Sequence, residues 1–203
     1  MNKKWIGLLA VAFGLGIGSN LYLNNQQQKQ QQAEELAKLQ AVSESVLYGE
    51  NGQAVAIFDQ ADPRTRVVYF GFTRCPDVCP TSLAMLAGAL NQIDDETKAT
   101  LRPMFVSLDP ERDAAEASAE YAHYFHPMIE GLSAPLEVTK PLAHKYGVIF
   151  RKAELEDSKL GYTLDHSSYF YFLSPDGTLI EKVPHTLNPA PIIEAIHRVN
   201  KQG

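Results

Sequence analysis

The chain has 203 residues, 45% of them hydrophobic and 21% charged, which suits one packed domain with an appendage and no need of disulfide staples. Its formal net charge is −6, and the only charged residues among the first 24 are Lys3 and Lys4, so the remainder sets 16 Lys and Arg against 24 Asp and Glu. That acidic balance argues against a nucleic-acid partner, which needs a basic face.

Lys3 and Lys4 precede an uncharged stretch from Trp5 to Leu23. At 1.5 Å per residue a helix over it spans about 28 Å, close to the hydrocarbon thickness of a bilayer. Residues 1–23 therefore read as a single transmembrane anchor. The lysines stay on the cytoplasmic side, and the rest of the chain lies on the periplasmic, extracytoplasmic side of a cell inner membrane. A cleaved signal peptide is the alternative, because Gly16-Ile17-Gly18 offers small residues before Ser19. Both readings export the domain. Residues 24–42 form a polar, Gln-rich tether, a solvated spacer with at most frayed helix.

The folded domain spans 43–203. Ser45–Tyr48 and Val55–Phe58 flank Glu50-Asn51-Gly52-Gln53, and Asn-Gly is a strong hairpin signal. Val67–Phe72 is a continuous apolar run, as in a strand buried on both faces. Thr81–Ile93 places Leu83, Leu86, Leu90 and Ile93 on one helical stripe. Pro103–Leu108 reads as a second buried strand, Asp113–Phe125 as a helix, Lys140–Tyr146 as a short helix and Val148–Arg151 as a minor strand. Ser168–Leu173 and Thr178–Val183 flank the turn Ser174-Pro175-Asp176-Gly177, and Pro189–Val199 closes the chain as a helix. The order strand, helix, strand, helix, strand, strand, helix is thioredoxin-like. The expected fold is α/β: a central sheet with helices on both faces, an N-terminal hairpin extension, and the anchor in front.

Both cysteines of the chain lie in Phe72-Thr73-Arg74-Cys75-Pro76-Asp77-Val78-Cys79-Pro80, where a buried strand hands over to a helix. Helix N-terminal N–H groups stabilise thiolate there. Four-residue spacing puts both sulfurs on one side of a helical turn, so Cys75 and Cys79 suit a metal clamp, a redox dithiol, or both in turn. A structural disulfide is the plainer reading for an exported chain, but so short a loop constrains little. A thiol peroxidase is disfavoured, because Phe72 and Pro76 stand where that class places threonine. A metal held by two thiolates wants a third donor. His123 and His126 read as the polar edge of a helix, and His144, His185 and His197 have no special setting. His166 lies in a loop directly before a strand whose entry, in this topology, abuts the cysteine turn, and Asp165 is placed to orient that loop or tune the imidazole. Two soft sulfurs with one imidazole favour copper over zinc, which usually wants four ligands, and over iron–sulfur clusters, which want more cysteines.

The run Phe70-Gly71-Phe72-Thr73-Arg74-Cys75-Pro76-Asp77-Val78-Cys79-Pro80 closely resembles the signature of the Sco/SenC family of membrane-tethered copper proteins for assembly of cytochrome c oxidase. Ser107-Leu108-Asp109-Pro110-Glu111-Arg112-Asp113, Gly131-Leu132-Ser133, and Tyr162…Asp165-His166-Ser167 followed by Tyr171-Phe172-Leu173-Ser174-Pro175-Asp176-Gly177 resemble three further family blocks, in order. The resemblance implies that Cys75, Cys79 and His166 bind one copper, as Cu(I) and/or Cu(II). It implies delivery to the binuclear copper site of cytochrome c oxidase subunit II, directly or through another copper chaperone. It also implies a second role, reduction of the target's own cysteine pair by Cys75 and Cys79 as a catalytic dithiol. An extracytoplasmic thiol–disulfide oxidoreductase without obligatory metal is the alternative. Asp77, between the cysteines, matches a family position and is either a partner contact or an exposed turn acid.

Overall fold

The structure, a computed structural model, describes residues 20, 22–32, 45–155 and 161–201. Apart from Asn20, Tyr22 and Leu23, the expected anchor lies outside the described residues, and among the described residues no helix is long and apolar enough to cross a membrane. The chain divides into two units, Met1–Ala41 and Val42–Gly203. In the first, residues 22–32 form helix α1, exposed along its length. Beyond Tyr22 and Leu23 it has no apolar residue to bury, and i,i+4 side-chain bonds such as Gln26 Nε2 to the Tyr22 hydroxyl (3.0 Å) run along it.

All the strands among the described residues belong to the second unit. A hairpin of β1 (Val46–Tyr48) and β2 (Ala54–Ala56) opens it, and Asn51 (φ 57°) with Gly52 (φ 67°) supplies the left-handed turn that Asn-Gly favours. The central sheet is mixed, in the order β5-β4-β3-β8-β9. Its strands are β3 (Thr65–Gly71), β4 (Leu101–Ser107), β5 (Glu130–Leu132), β8 (Tyr169–Leu173) and β9 (Leu179–Pro184). β3, β4 and β5 run parallel, and β8 and β9 are antiparallel. The helices are α2 (Val78–Gln92), α3 (Asp95–Ala99), α4 (Ala115–Phe125), α5 (Leu136–Lys145) and α6 (Ala190–Asn200). A separate two-stranded ribbon of β6 (Phe150–Glu154) and β7 (Tyr162–His166) stands off the sheet.

The sheet has helices on both faces. On one, Tyr69 and Phe105 lie under α2 and α4, with the Phe105 ring 5.2 Å from Tyr121 of α4, and α6 packs beside α2. On the other, Phe70 stacks with Tyr171 and with Tyr146 at the end of α5. Val67 to Phe70 are fully buried, as expected of a central strand covered on both sides. β3 nevertheless begins two residues before the apolar run. Arg66 is buried there because its guanidinium donates to the carbonyls of Ile57, Asp59, Asp62 and Arg64, which replace its water.

Several boundaries differ from the sequence reading, each for a physical reason. α5 starts at Leu136, four residues before Lys140, so Pro141 sits inside it, where a proline usually argues against helix. α3 is a five-residue helix capped by Asp94, whose side chain accepts from Thr97 N, and it has no apolar stripe to reveal it. The minor strand is β6, shifted to Phe150–Glu154, and its partner β7 occupies the stretch read as a loop before β8. β5 is only three residues long, and Gly131 lets α4 lie directly on it: a Cβ there would sit 1.9 Å from the Ser118 carbonyl oxygen.

That contact is with backbone, which cannot rotate away. Gly131→Ala is expected to destabilise the domain by about 3 kcal/mol, lowering the thermal midpoint by roughly 6–12 °C for a domain of this size. Calorimetry of the purified chain reads this; an unchanged midpoint would show that α4 does not lie on β5 as described.

Candidate metal centre

β3 carries its buried run to Gly71 and then breaks into a turn, closed by Cys75 N donating to the Phe72 carbonyl at 3.3 Å. The turn is fastened from outside. Asp113 is fully buried, and its carboxylate accepts from Thr73 N (2.8 Å), Thr73 Oγ1 (2.6 Å) and Ser107 Oγ (2.8 Å). Helix α2 starts at Val78, so Cys79 lies in its first turn while Cys75 sits just outside. The two cysteines thus straddle a helix N-terminus instead of sharing one helical turn. Asp77, the N-cap residue, makes no side-chain cap, and Cys79 N points instead at the Cys75 sulfur, 3.3 Å away.

The Cys79 sulfur lies on the floor of the site. A Cβ on Gly71 would fall 2.9 Å from it, so this glycine makes the room the sulfur occupies. Cys79 is fully buried, Cys75 is half-buried, and both are free thiols.

His166 is the last residue of β7, opposite Phe150 of β6, and not a loop residue. Its ring stands edge-on to Phe72 (5.8 Å, 80°) and Tyr69 (6.3 Å, 79°), which fix its plane. Nδ1 lies 3.1 Å from the Ser167 carbonyl oxygen, and a carbonyl only accepts. Nδ1 therefore carries a proton and donates to that carbonyl, and Nε2 is turned toward the sulfurs, 3.3 Å from that of Cys79. Asp165 does not touch the imidazole. It pairs across the ribbon with Arg151 (3.1 Å) on an exposed face, so of the two roles read for it only the orienting of its own segment has a contact behind it.

The two thiols behave as a pair. The Cys75 thiol is held well below the usual range, chiefly by a hydrogen bond from the Cys79 thiol. His166 and the N–H groups of Cys79 and Asp77 add to this, and burial opposes it. Cys79 is pushed up, first because it donates to Cys75, then by burial and by the negative charge of its partner. The metal-free site therefore keeps one thiolate, on the more exposed sulfur, and one thiol.

Sγ of Cys75, Sγ of Cys79 and a ring nitrogen of His166 all lie within 4.8 Å of one another, and among the described residues no fourth His, Cys, Asp or Glu joins them. Two soft sulfurs and one imidazole fit copper better than zinc. A shallow cleft between Pro76–Val78 and Thr163–Asp165 opens onto Cys75 and His166, so these two donors are reachable from outside. The other histidines stand apart. His123 and His197 are exposed, His126 Nδ1 accepts from Met128 N, and His144 lies beside Phe150.

Two neighbours of the site escape the sequence reading. The Tyr69 phenol is buried against it and pushed up, first by that burial and then by the charge of the neighbouring Cys79. Ser82, buried one turn beyond Cys79, lies 2.8 Å from His185 Nδ1. The i,i+3 spacing of Cys79 and Ser82 on an amphipathic helix was the available signal for Ser82; nothing local marks His185.

Over 115 residues the chain is 41% identical to Protein SCO1 homolog 1, mitochondrial, of Arabidopsis thaliana, a match covering 57% of this chain and 34% of that protein. The chain thus spans about a third of that relative's length. With Protein SCO2 homolog, mitochondrial, of Mus musculus it is 33% identical over 199 residues, covering 94% of this chain and 76% of that one. The crystal structure of Arabidopsis thaliana ScoI with copper bound shares the fold with a TM-score of 0.69 at 32% identity, covering 78% of this chain and 96% of that chain. A family model described as SCO1/SenC matches residues 33–201, which take in all three donors and the whole sheet that positions them, and the chain belongs to that family.

Proposed function

We propose that this domain is a copper chaperone for cytochrome c oxidase assembly. It holds one copper between Cys75, Cys79 and His166 and delivers it to the binuclear site of oxidase subunit II, directly or through another copper chaperone. The observation that carries this reading is the convergence of the three donors within 4.8 Å, two from a strand-to-helix turn and one from a separate ribbon. Copper bound in the related A. thaliana ScoI supports it. So does the family resemblance of the four blocks around these residues. The uncharged stretch Trp5–Leu23 behind Lys3 and Lys4 supports an anchor that keeps the domain on the extracytoplasmic side, and the tether over 24–42 gives it reach.

Copper is cargo here, and its transfer is ligand exchange. An incoming thiolate of the target enters through the cleft beside Cys75. The half-buried Cys75 sulfur leaves first, because it is the reachable one, and Cys79 and His166 follow. No free ion is released. Titration of the metal-free chain is expected to show about one copper per chain. Cys75→Ser, Cys79→Ser and His166→Ala each weaken binding by at least about 100-fold, the upper range for disturbing a metal's immediate surroundings. If His166→Ala binds as tightly as the parent, the three-donor site is wrong.

The asymmetry of the two sulfurs favours a second use. The Cys75 thiolate attacks a target disulfide and forms a mixed disulfide, and one target thiolate leaves carrying the proton that Cys79 gives up. The Cys79 sulfur then attacks Cys75, and the second target sulfur departs. Two electrons pass to the target, and the domain is left with a Cys75–Cys79 disulfide. The same sulfurs serve both uses, so metal loading and reduction exclude one another.

The paired thiols give a measurable signature in the metal-free chain. An ordinary cysteine with a pKa of about 8.5 is only about 0.3% thiolate at pH 6 and loses alkylation rate tenfold per pH unit below neutrality. Cys75 is expected to alkylate at a nearly constant rate from pH 8 to pH 6, with Cys79 far slower. Iodoacetamide labelling with mass-spectrometric assignment checks this. A Cys75 rate that falls tenfold per unit would show that the stabilising hydrogen bonds are not made.

A further inference from the structure

We infer that Asp109, Arg112 and Tyr162 are positioning residues for His166, forming a clasp that holds the β6–β7 ribbon where its imidazole meets the two sulfurs. This rests on the copper reading of the site and says what sets its third donor.

The ribbon needs such a device. It shares no strand pairing with the central sheet, and its β6 face is mostly exposed. Among its described residues Leu164 is buried, and Phe150 and Tyr162 are partly buried against the core. Hydrophobic burial is non-directional and by itself orients a ribbon poorly. Tyr162 opens β7, one ribbon length from His166 on the same strand. Its hydroxyl donates to Asp109 Oδ1 at 2.7 Å, and its ring lies under the Arg112 guanidinium, 3.6 Å from the ring centroid. Arg112 Nη1 also donates to the Tyr162 carbonyl at 2.9 Å, and Nε donates to Asp109 Oδ2. One arginine therefore grips the tyrosine by its face and its backbone while Asp109, itself 2% exposed, grips the hydroxyl. Outside this grip, Lys152 of β6 pairs with Glu111 at 2.6 Å and sits 4.5 Å from the Tyr162 ring centroid.

The same short segment holds the other two donors. Asp113 fastens Thr73, two residues before Cys75, and Ser107 Oγ bonds both the Asp113 carboxylate and Asp109 N. Residues 107–113 thus fix the cysteine turn with one carboxylate and the histidine ribbon with another. The distance between sulfur and imidazole is set by this segment, although none of its side chains is a donor.

The test separates the clasp from the site itself. Tyr162→Phe keeps the ring and its stacking but removes the bond to Asp109; Arg112→Lys keeps the charge but loses the fork. In the full chain, Cu(I) affinity is measured by competition with a chromogenic chelator under reducing, oxygen-free conditions. Both variants are expected to lose about 10–100-fold, the range for groups that orient a metal ligand. In the His166→Ala background the same changes are expected to cost less than about 2-fold, because the imidazole they position is gone. A metal-free readout accompanies this: amide exchange accelerates over 162–166 in both variants and stays unchanged over 78–92. Equal losses with and without His166 would overturn the inference in favour of a general effect on the fold. So would unchanged affinity in both single variants. If instead His166→Ala alone leaves affinity intact, the copper reading fails, and a positioning role toward the metal fails with it.

Discussion

The buried carboxylate of Asp113 holds the chain where β3 ends, accepting from Thr73 N, Thr73 Oγ1 and Ser107 Oγ. Taking a carboxylate out of water costs on the order of several kcal/mol unless its oxygens are bonded, and here three donors replace the lost water. The arrangement is over-determined: moving the cysteine turn leaves a buried charge without partners. That is why a turn rich in exposed residues still presents two sulfurs in one geometry. Gly71 completes the constraint from below, because only the absence of a Cβ lets the Cys79 sulfur lie on the strand end.

Held that closely, the sulfurs cannot ionise independently. One proton between them is the low-energy state, and it rests on the buried sulfur because the exposed one collects the N–H groups of the turn. An attacking electrophile or an incoming ion meets a ready thiolate at Cys75, while Cys79 is kept in reserve as a thiol. Nε2 of His166 also lies 3.3 Å from the Cys79 sulfur, the one that keeps the proton. The site is thus prepared for attack at one sulfur and for closure at the other.

Much of this was legible in the sequence because the determinants are local. A continuous apolar run marks β3, Asn-Gly marks the first hairpin, and two cysteines at a strand-to-helix turn mark the sulfur donors. His166 was legible as the third member of the cluster, but its setting was not. Among the described residues β7 pairs only with β6, which shows no apolar alternation, and in β7 the alternation rests on Tyr162 and Leu164 alone, too little to mark a strand, so the stretch reads as a loop. α3 is silent for the same reason, since Asp95–Ala99 has no face to bury, and β5 is too short to carry a period. Of the two roles read for Asp165, tuning of the imidazole has no contact behind it, because adjacency in sequence puts Asp165 on the opposite face of the strand from His166, toward Arg151. Tyr69, Ser82 and His185 come together only through the packing of α2 on the sheet, which no local pattern encodes.

The division of the donors between two elements has a consequence for function. Thiol chemistry needs Cys75 and Cys79 alone, and both belong to one turn anchored by Asp113. In the proposed copper site, metal retention needs His166 as well, and that residue sits on a ribbon gripped by Asp109 and Arg112. The two anchors come from one segment and share Ser107, whose Oγ bonds both the Asp113 carboxylate and Asp109 N, but they grip different residues, Thr73 on one side and Tyr162 on the other. On the proposed copper reading, adjusting the ribbon changes how tightly the metal is kept while the cysteine turn keeps its own anchor, and the Cys75 thiolate loses only the share of its stabilisation that His166 supplies. Had all three donors stood on one element, any change that eased release of the metal would also have disturbed the thiolate that begins the exchange.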